Sequence, residues 1–119
     1  MKVSLAPSFR AVKAEGTQIA GAPLLEEGGP RVVLGWSPGD VATPLSPAAA
    51  SLFGPRGVCL HPDGTLWVAD TGHHRLLGWR KIPQSDNEPA DILIGQPSFC
   101  REGRNAKGPP GPATLNVPT

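Results

Sequence analysis

A chain of 119 residues with a formal net charge of +1, 39% hydrophobic and 18% charged residues, has room for one small domain and lacks the charge excess of a disordered polypeptide. Fifteen glycines and fifteen prolines recur between short apolar runs, which is the punctuation of an all-β chain with many turns. Three Trp, three Phe and no Tyr make for a thin, mostly aliphatic core; no run approaches the length of a membrane-spanning helix and Met1 to Pro7 is too short for a signal peptide's apolar region, so a cytoplasmic protein is expected.

In chain order, the first half offers short apolar pieces around Val3-Ser4-Leu5, Phe9, Ile19 and Val32-Val33-Leu34. The second half is plainer, with four runs of strand length: Val58 to Leu60, Leu66 to Ala69, Leu76 to Trp79 and Ile92 to Ile94. The first two are joined by His61-Pro62-Asp63-Gly64, in which Pro presets φ and Gly accepts the positive φ of a tight turn. The next connection, Asp70-Thr71-Gly72-His73, is again polar with one glycine. These spacings predict hairpins of a four-stranded antiparallel meander. Because Leu66-Trp67-Val68-Ala69 and Ile92-Leu93-Ile94 are apolar at consecutive positions, both faces of the sheet require covering.

The two halves can be laid over one another. Phe9 falls on Leu66, Ile19 on Leu76 and Gly21 on Gly78 at a shift of 57; Gly35 falls on Gly95 at 60; Ser51-Leu52-Phe53-Gly54-Pro55 falls on Thr114-Leu115-Asn116-Val117-Pro118 at 63. Val3 to Leu5 then lies on the strand Val58 to Leu60. A period of this size signals a repeat architecture, and a four-stranded unit repeated about an axis is a β-propeller blade. The expected organisation is one blade with its connecting loop in residues 1–53 and a second in residues 54–119. At Pro118-Thr119 the register places the opening strand of a third unit.

Residues 53–79 resemble the NHL repeat. They carry its Pro-x-Gly opening (Pro55, Gly57), its Asp-Gly hairpin (Asp63, Gly64), the strand ending in Ala69-Asp70 and the His74-Arg75 pair that begins the third strand. Ala90 to Pro97 followed by Leu115 to Thr119 looks like the stretch between repeats of bacterial NHL propellers. The chain departs from the family at His73, where Asn is usual. The first unit has Lys13, Thr17 and Gln18 where the second has Asp70, His74 and Arg75. The resemblance implies a ring of about six blades with a central channel. Two units do not close it, so completion requires a longer parent chain, self-association of three copies, or blades from another protein.

Asp70, His74 and Arg75 together suggest a catalytic acid, base and anion clamp. The structural reading is preferred: a carboxylate ending one strand accepts hydrogen bonds from the start of the next and ties the hairpin to its neighbour. His61, His73 and His74 are possible zinc ligands, but adjacent residues of an extended strand point to opposite faces. That leaves His74 as a single ligand meeting its copies from other blades on the ring axis. Cys59 is expected as a small buried hydrophobe, and Cys100 lies in a loop beside Arg101 with no partner base. Trp67 and Trp79 read as core, while Trp36 has no assigned role. Arg101, Arg104 and Lys107 make the Gly- and Pro-rich loop Phe99 to Pro112 the first choice for a partner-binding loop.

No complete catalytic constellation is visible. Charge is also balanced: residues 1–53 hold four basic and four acidic residues, which argues against nucleic acid or membrane as partner. The leading expectation is a non-enzymatic scaffold that binds a protein or peptide, without a cofactor. The alternative is a propeller enzyme, a lyase or hydrolase, or a ligand-binding protein with zinc or calcium on the ring axis, as among relatives of this architecture.

Overall fold

A computed structural model describes residues 28–35 and 46–119. Its centre is a four-stranded antiparallel sheet of order β1-β2-β3-β4, with β1 at Gly57–Leu60, β2 at Leu66–Asp70, β3 at Arg75–Trp79 and β4 at Ile92–Ile94. This is the meander read from the sequence, with β1, β2 and β3 each beginning or ending one residue further out. Among the described residues no helix is long and apolar enough to cross a membrane.

The first hairpin turns where the sequence placed it. His61 N–H donates to Thr65 O and Gly64 N–H to His61 O, both at 2.9 Å, while Gly64 takes a φ of +90°. Asp63 braces the turn by accepting the Thr65 N–H at 2.8 Å. That bond, with further help from the Thr65 side chain and His61, lowers the Asp63 pKa to about 2. The second hairpin is tighter and less regular. A single 3₁₀ turn over Thr71–His73 delivers His74 in the left-handed region at φ 56° before β3 begins. His73 and His74 therefore belong to a turn and not to an extended strand, so strand alternation does not govern where they point.

Register sorts the strand residues onto two faces. Val58, Val68, Leu77 and Leu93 line up across the sheet, as do Leu60, Leu66 and Trp79. This face carries the core of Val68, Leu77 and Trp79, capped by Leu52 and Ala90 and flanked by Leu34, Leu66, Leu93 and Phe99. Trp79 anchors it further by donating its indole N–H to Glu88 O at 2.9 Å. The opposite face holds Cys59, Trp67, Gly78 and Ile92 in one row and Ala69, Leu76 and Ile94 in the next. Trp67 lies over Gly78, where an added Cβ would come within 2.9 Å of the indole. Among the described residues, nothing comparable to Leu34 and Leu52 covers this side. Cys59, expected inside, is exposed because it sits on the edge strand β1. Trp67 is only partly buried, against the expectation that it joins Trp79 in the core.

The first unit expected from the register falls largely on residues 1–27 and 36–45, outside the described residues, together with Lys13, Thr17, Gln18 and Trp36. Its closing part is described and follows the second unit closely. Gly35 bridges Ser51 in parallel, and Gly95 bridges Thr114 in the same way. Both glycines have positive φ, 75° and 100°, and Leu52 and Leu115 press on them so closely that a Cβ would meet either leucine within 3 Å. Ser51 Oγ accepts the Ala48 N–H at 2.8 Å, and Thr114 Oγ1 accepts the Gly111 N–H at 2.9 Å. The 60- and 63-residue shifts thus pair structurally equivalent positions.

These contacts separate two glycines that look alike in sequence. Gly64 has positive φ but open space around it, whereas Gly95 has positive φ and Leu115 in the way. Gly64→Ala is expected to cost about 1 kcal/mol from the backbone alone, and Gly95→Ala roughly 2–3 kcal/mol from strain and collision together. Urea midpoints of the two variants check the order.

Candidate functional site

The densest polar cluster lies where β2 hands over to β3. Antiparallel pairing sets Asp70, the last residue of β2, directly opposite Arg75, the first of β3. The 3₁₀ turn between them folds His73 back over the pair. All three side chains are fully buried.

Both carboxylate oxygens of Asp70 are engaged. Oδ2 accepts from Arg75 Nε at 2.7 Å and from His73 Nδ1 at 2.8 Å, which places the His73 ring proton on Nδ1. Oδ1 accepts the Phe53 N–H at 2.6 Å. The rest of the guanidinium reaches backbone: Nη1 donates to Phe99 O at 2.7 Å, and Nη2 to Ala48 O and Ser51 O at 2.9 and 3.0 Å. Burial opposes ionisation of Asp70, but the bonds from His73, Phe53 and Arg75 outweigh it and hold the carboxyl below its usual 3.8. The Phe53 ring tilts against His73 with centroids 5.6 Å apart. Gly72 N–H donates to Phe53 O at 2.8 Å, and a Cβ at Gly72 would collide with Phe53.

The sequence grouped Asp70 with His74 and Arg75; the structure groups it with His73 and Arg75. The left-handed backbone at His74 turns that side chain away, and its Nδ1 accepts the Val117 N–H at 3.0 Å. Partial burial, and then the nearby Arg104 charge, push its pKa down. Pro55 and Gly57 lead into β1, where Arg56 N–H donates to Ala69 O at 3.2 Å and Gly57 lies against the Thr119 backbone. Asp63 and Gly64 form the first turn, remote from the cluster. Among the described residues, no group of three or more His, Cys, Asp or Glu is placed to hold a metal ion.

Gln96 was quoted in sequence only as part of a motif, yet it organises the loop that follows. It is buried, and Nε2 donates to Gly103 O at 2.8 Å while lying 3.3 and 3.2 Å from His73 O and His74 O. With two amide hydrogens for three carbonyls, one bond is whole and the other shared. Oε1 has no partner. The loop runs through left-handed backbone at Asn105, Ala106 and Lys107, with Asn105 N–H donating to Leu115 O at 2.9 Å. Arg101, Arg104 and Lys107 all stand exposed on it.

Residues 54–79 match the model of a protein family described as NHL repeat. No curated protein matches the chain, and no solved structure does.

Removing one partner of a buried ion pair leaves the other charge unpaired, so Arg75→Ala is expected to destabilise the chain by about 3–5 kcal/mol. Arg75→Lys recovers little, since an ammonium cannot span three carbonyls and a carboxylate; urea titration reads both. Because the Asp70 pKa is depressed on folding, its contribution is complete above pH 3.8 and is lost as pH falls through the folded value. Asp70→Asn is therefore expected to lower stability near neutrality and to flatten the acid limb of a stability-against-pH curve. The slope that remains includes Asp63.

Proposed function

We propose that the chain, which carries an NHL repeat at residues 54–79, is part of a β-propeller that serves as a non-enzymatic scaffold for a protein or peptide ligand. The observation that carries this reading is the use made of the buried polar cluster. Both oxygens of Asp70 and every nitrogen of the Arg75 guanidinium bond to the chain itself. A reacting centre needs an acid, base or nucleophile that substrate can reach, and this cluster is sealed from solvent.

What faces outward is the loop from Phe99 to Pro112. It holds three basic residues, Arg101, Arg104 and Lys107, against one acidic residue, Glu102, and it is shaped from beneath by Gln96. A fixed basic loop suits an acidic segment of a partner, with charge setting the encounter rate and the choice of partner. The ring itself, of about six blades, comes from a longer parent chain, from further copies or from another protein.

Fluorescence anisotropy with acidic and neutral peptides tests the reading. Acidic peptides are expected to bind more tightly, with affinity falling as salt rises. The triple substitution Arg101→Glu, Arg104→Glu, Lys107→Glu is expected to weaken binding by about tenfold or more, roughly 1.4 kcal/mol, without moving the urea midpoint. Binding indifferent to these changes defeats the assignment of the loop. Stoichiometric zinc or calcium that is lost on His74→Ala favours the enzymatic or ligand-binding alternative instead.

A further inference from the structure

The segment that follows the basic loop is held on the turn between β2 and β3 by one bond that depends on a titratable group and by others that do not. Val117 N–H donates to His74 Nδ1 at 3.0 Å. Thr71 Oγ1 donates to Pro118 O at 2.6 Å, and the Thr119 backbone lies against Gly57 at the start of β1. An imidazole nitrogen accepts a hydrogen bond only while it carries no proton, so the bond to Val117 requires a neutral His74 ring with its hydrogen on Nε2.

That bond also holds a backbone that would otherwise move. Val117 sits at φ 50°, in the left-handed region that a β-branched residue avoids. Without the acceptor, extended backbone is the preferred conformation at Val117, and the change of direction carries Pro118 away from Thr71 and Thr119 away from Gly57. His74 is itself left-handed at φ 56°, so the bond joins two residues in this conformation and its loss frees one of them.

The surroundings of His74 oppose a proton. Burial of the ring weighs most, followed by the Arg104 charge in the loop, and His73 in the same turn acts in the same sense. Glu102 acts the other way, but it lies 3.7 Å from Nε2 of His73 and does not outweigh burial and Arg104, so His74 stays neutral below its ordinary 6.5. A ring released from the turn escapes both influences and takes up a proton more readily. Acidification therefore favours the released form, beginning near pH 6.5 and growing by up to about tenfold per pH unit until the pH passes the value of the bonded ring.

The geometry points to His74 as a proton-operated latch: neutral, it pins Val117 in left-handed backbone and fixes Asn116 to Thr119 on the β2–β3 turn; protonated, it lets Val117 relax and the segment lift off. The turn itself is held by Gly72 N–H to Phe53 O at 2.8 Å, a bond without a titratable partner, and persists when the segment leaves. The latch decides whether the chain beyond Leu115 runs beside the start of β1 or swings free of it. It needs no ligand on the basic loop, so failure of peptide binding leaves it standing.

Amide exchange and imidazole NMR on the full chain test it between about pH 7.5 and about pH 5.5, the range in which a histidine changes charge. The His74 ring is expected to titrate below 6.5. Exchange is expressed as protection relative to the unfolded chain, which removes its intrinsic pH dependence. Protection of the Val117 N–H is expected to fall about fivefold or more across the range, while that of the Gly72 N–H holds. His74→Asn separates the latch from a merely structural histidine: Asn tolerates left-handed backbone and offers Oδ1 as an acceptor that does not titrate, so its Val117 protection is expected to stay level. Arg104→Gln gives a second reading, raising the His74 pKa and moving the loss of protection to higher pH by the same amount. A His74 pKa at or above 6.5, Val117 protection that ignores pH or falls in step with that of Gly72, or an equal fall in His74→Asn each overturns the inference.

Discussion

The charge pair between Asp70 and Arg75 is the contact on which the described fold turns. Taking two ions out of water costs several kcal/mol each, and their attraction offsets that only when the remaining donors and acceptors are satisfied. Here they are satisfied by main chain. The carboxylate holds the Phe53 N–H, and the guanidinium holds Phe99 O, Ala48 O and Ser51 O. The pair therefore does more than close its own hairpin. It fastens β2 and β3 to the segment before β1 and to the loop after β4.

That arrangement explains what the sequence disclosed and what it withheld. The four strands were legible because apolar runs alternate with polar connections rich in turn-forming residues, and β2 and β3 match their expected ranges to within a residue. The structural reading of Asp70 and Arg75 was legible because they lie five residues apart across a hairpin. The choice between His73 and His74 was not. It depends on a 3₁₀ turn that places one ring on the carboxylate and the other in a left-handed residue, and alternation along a strand has no bearing on such a turn. Gln96 was hidden for a similar reason: its partners are carbonyls of residues 73, 74 and 103, and backbone acceptors leave no mark in a sequence. Cys59 shows the converse, since an apolar run identifies a face that calls for cover without saying whether the cover is present.

Left-handed backbone falls on several residues other than glycine, at His74, Asn87, Asn105, Ala106, Lys107 and Val117. Val117 adopts φ 50°, a conformation that a β-branched residue avoids and that costs on the order of 1–3 kcal/mol. At the position 63 residues earlier stands Gly54, for which the same backbone is easy. Val117 is held by its N–H bond to His74 Nδ1, and the next residue by Thr71 Oγ1 donating to Pro118 O at 2.6 Å. His74 thus matters to the joint through an acceptor that exists only while its ring is neutral, consistent with the lowering of its pKa by burial and by Arg104.

Contacts made through main chain also tolerate different side chains at the matching positions of residues 48–54 and 111–117. Ser51 and Thr114, Phe53 and Asn116, and Gly54 and Val117 occupy matching positions with different side chains, yet the turn, the bridge and the leucine contact persist. An arginine that reads carbonyls is indifferent to those replacements. It is sensitive to backbone spacing, since Ala48 O and Ser51 O must both lie within reach of one nitrogen. Such a contact constrains the length of the segment before β1 and the few residues that set its path: the positive-φ Gly35, the Ser51 hydroxyl that braces the turn, and Gly72, which lies against Phe53.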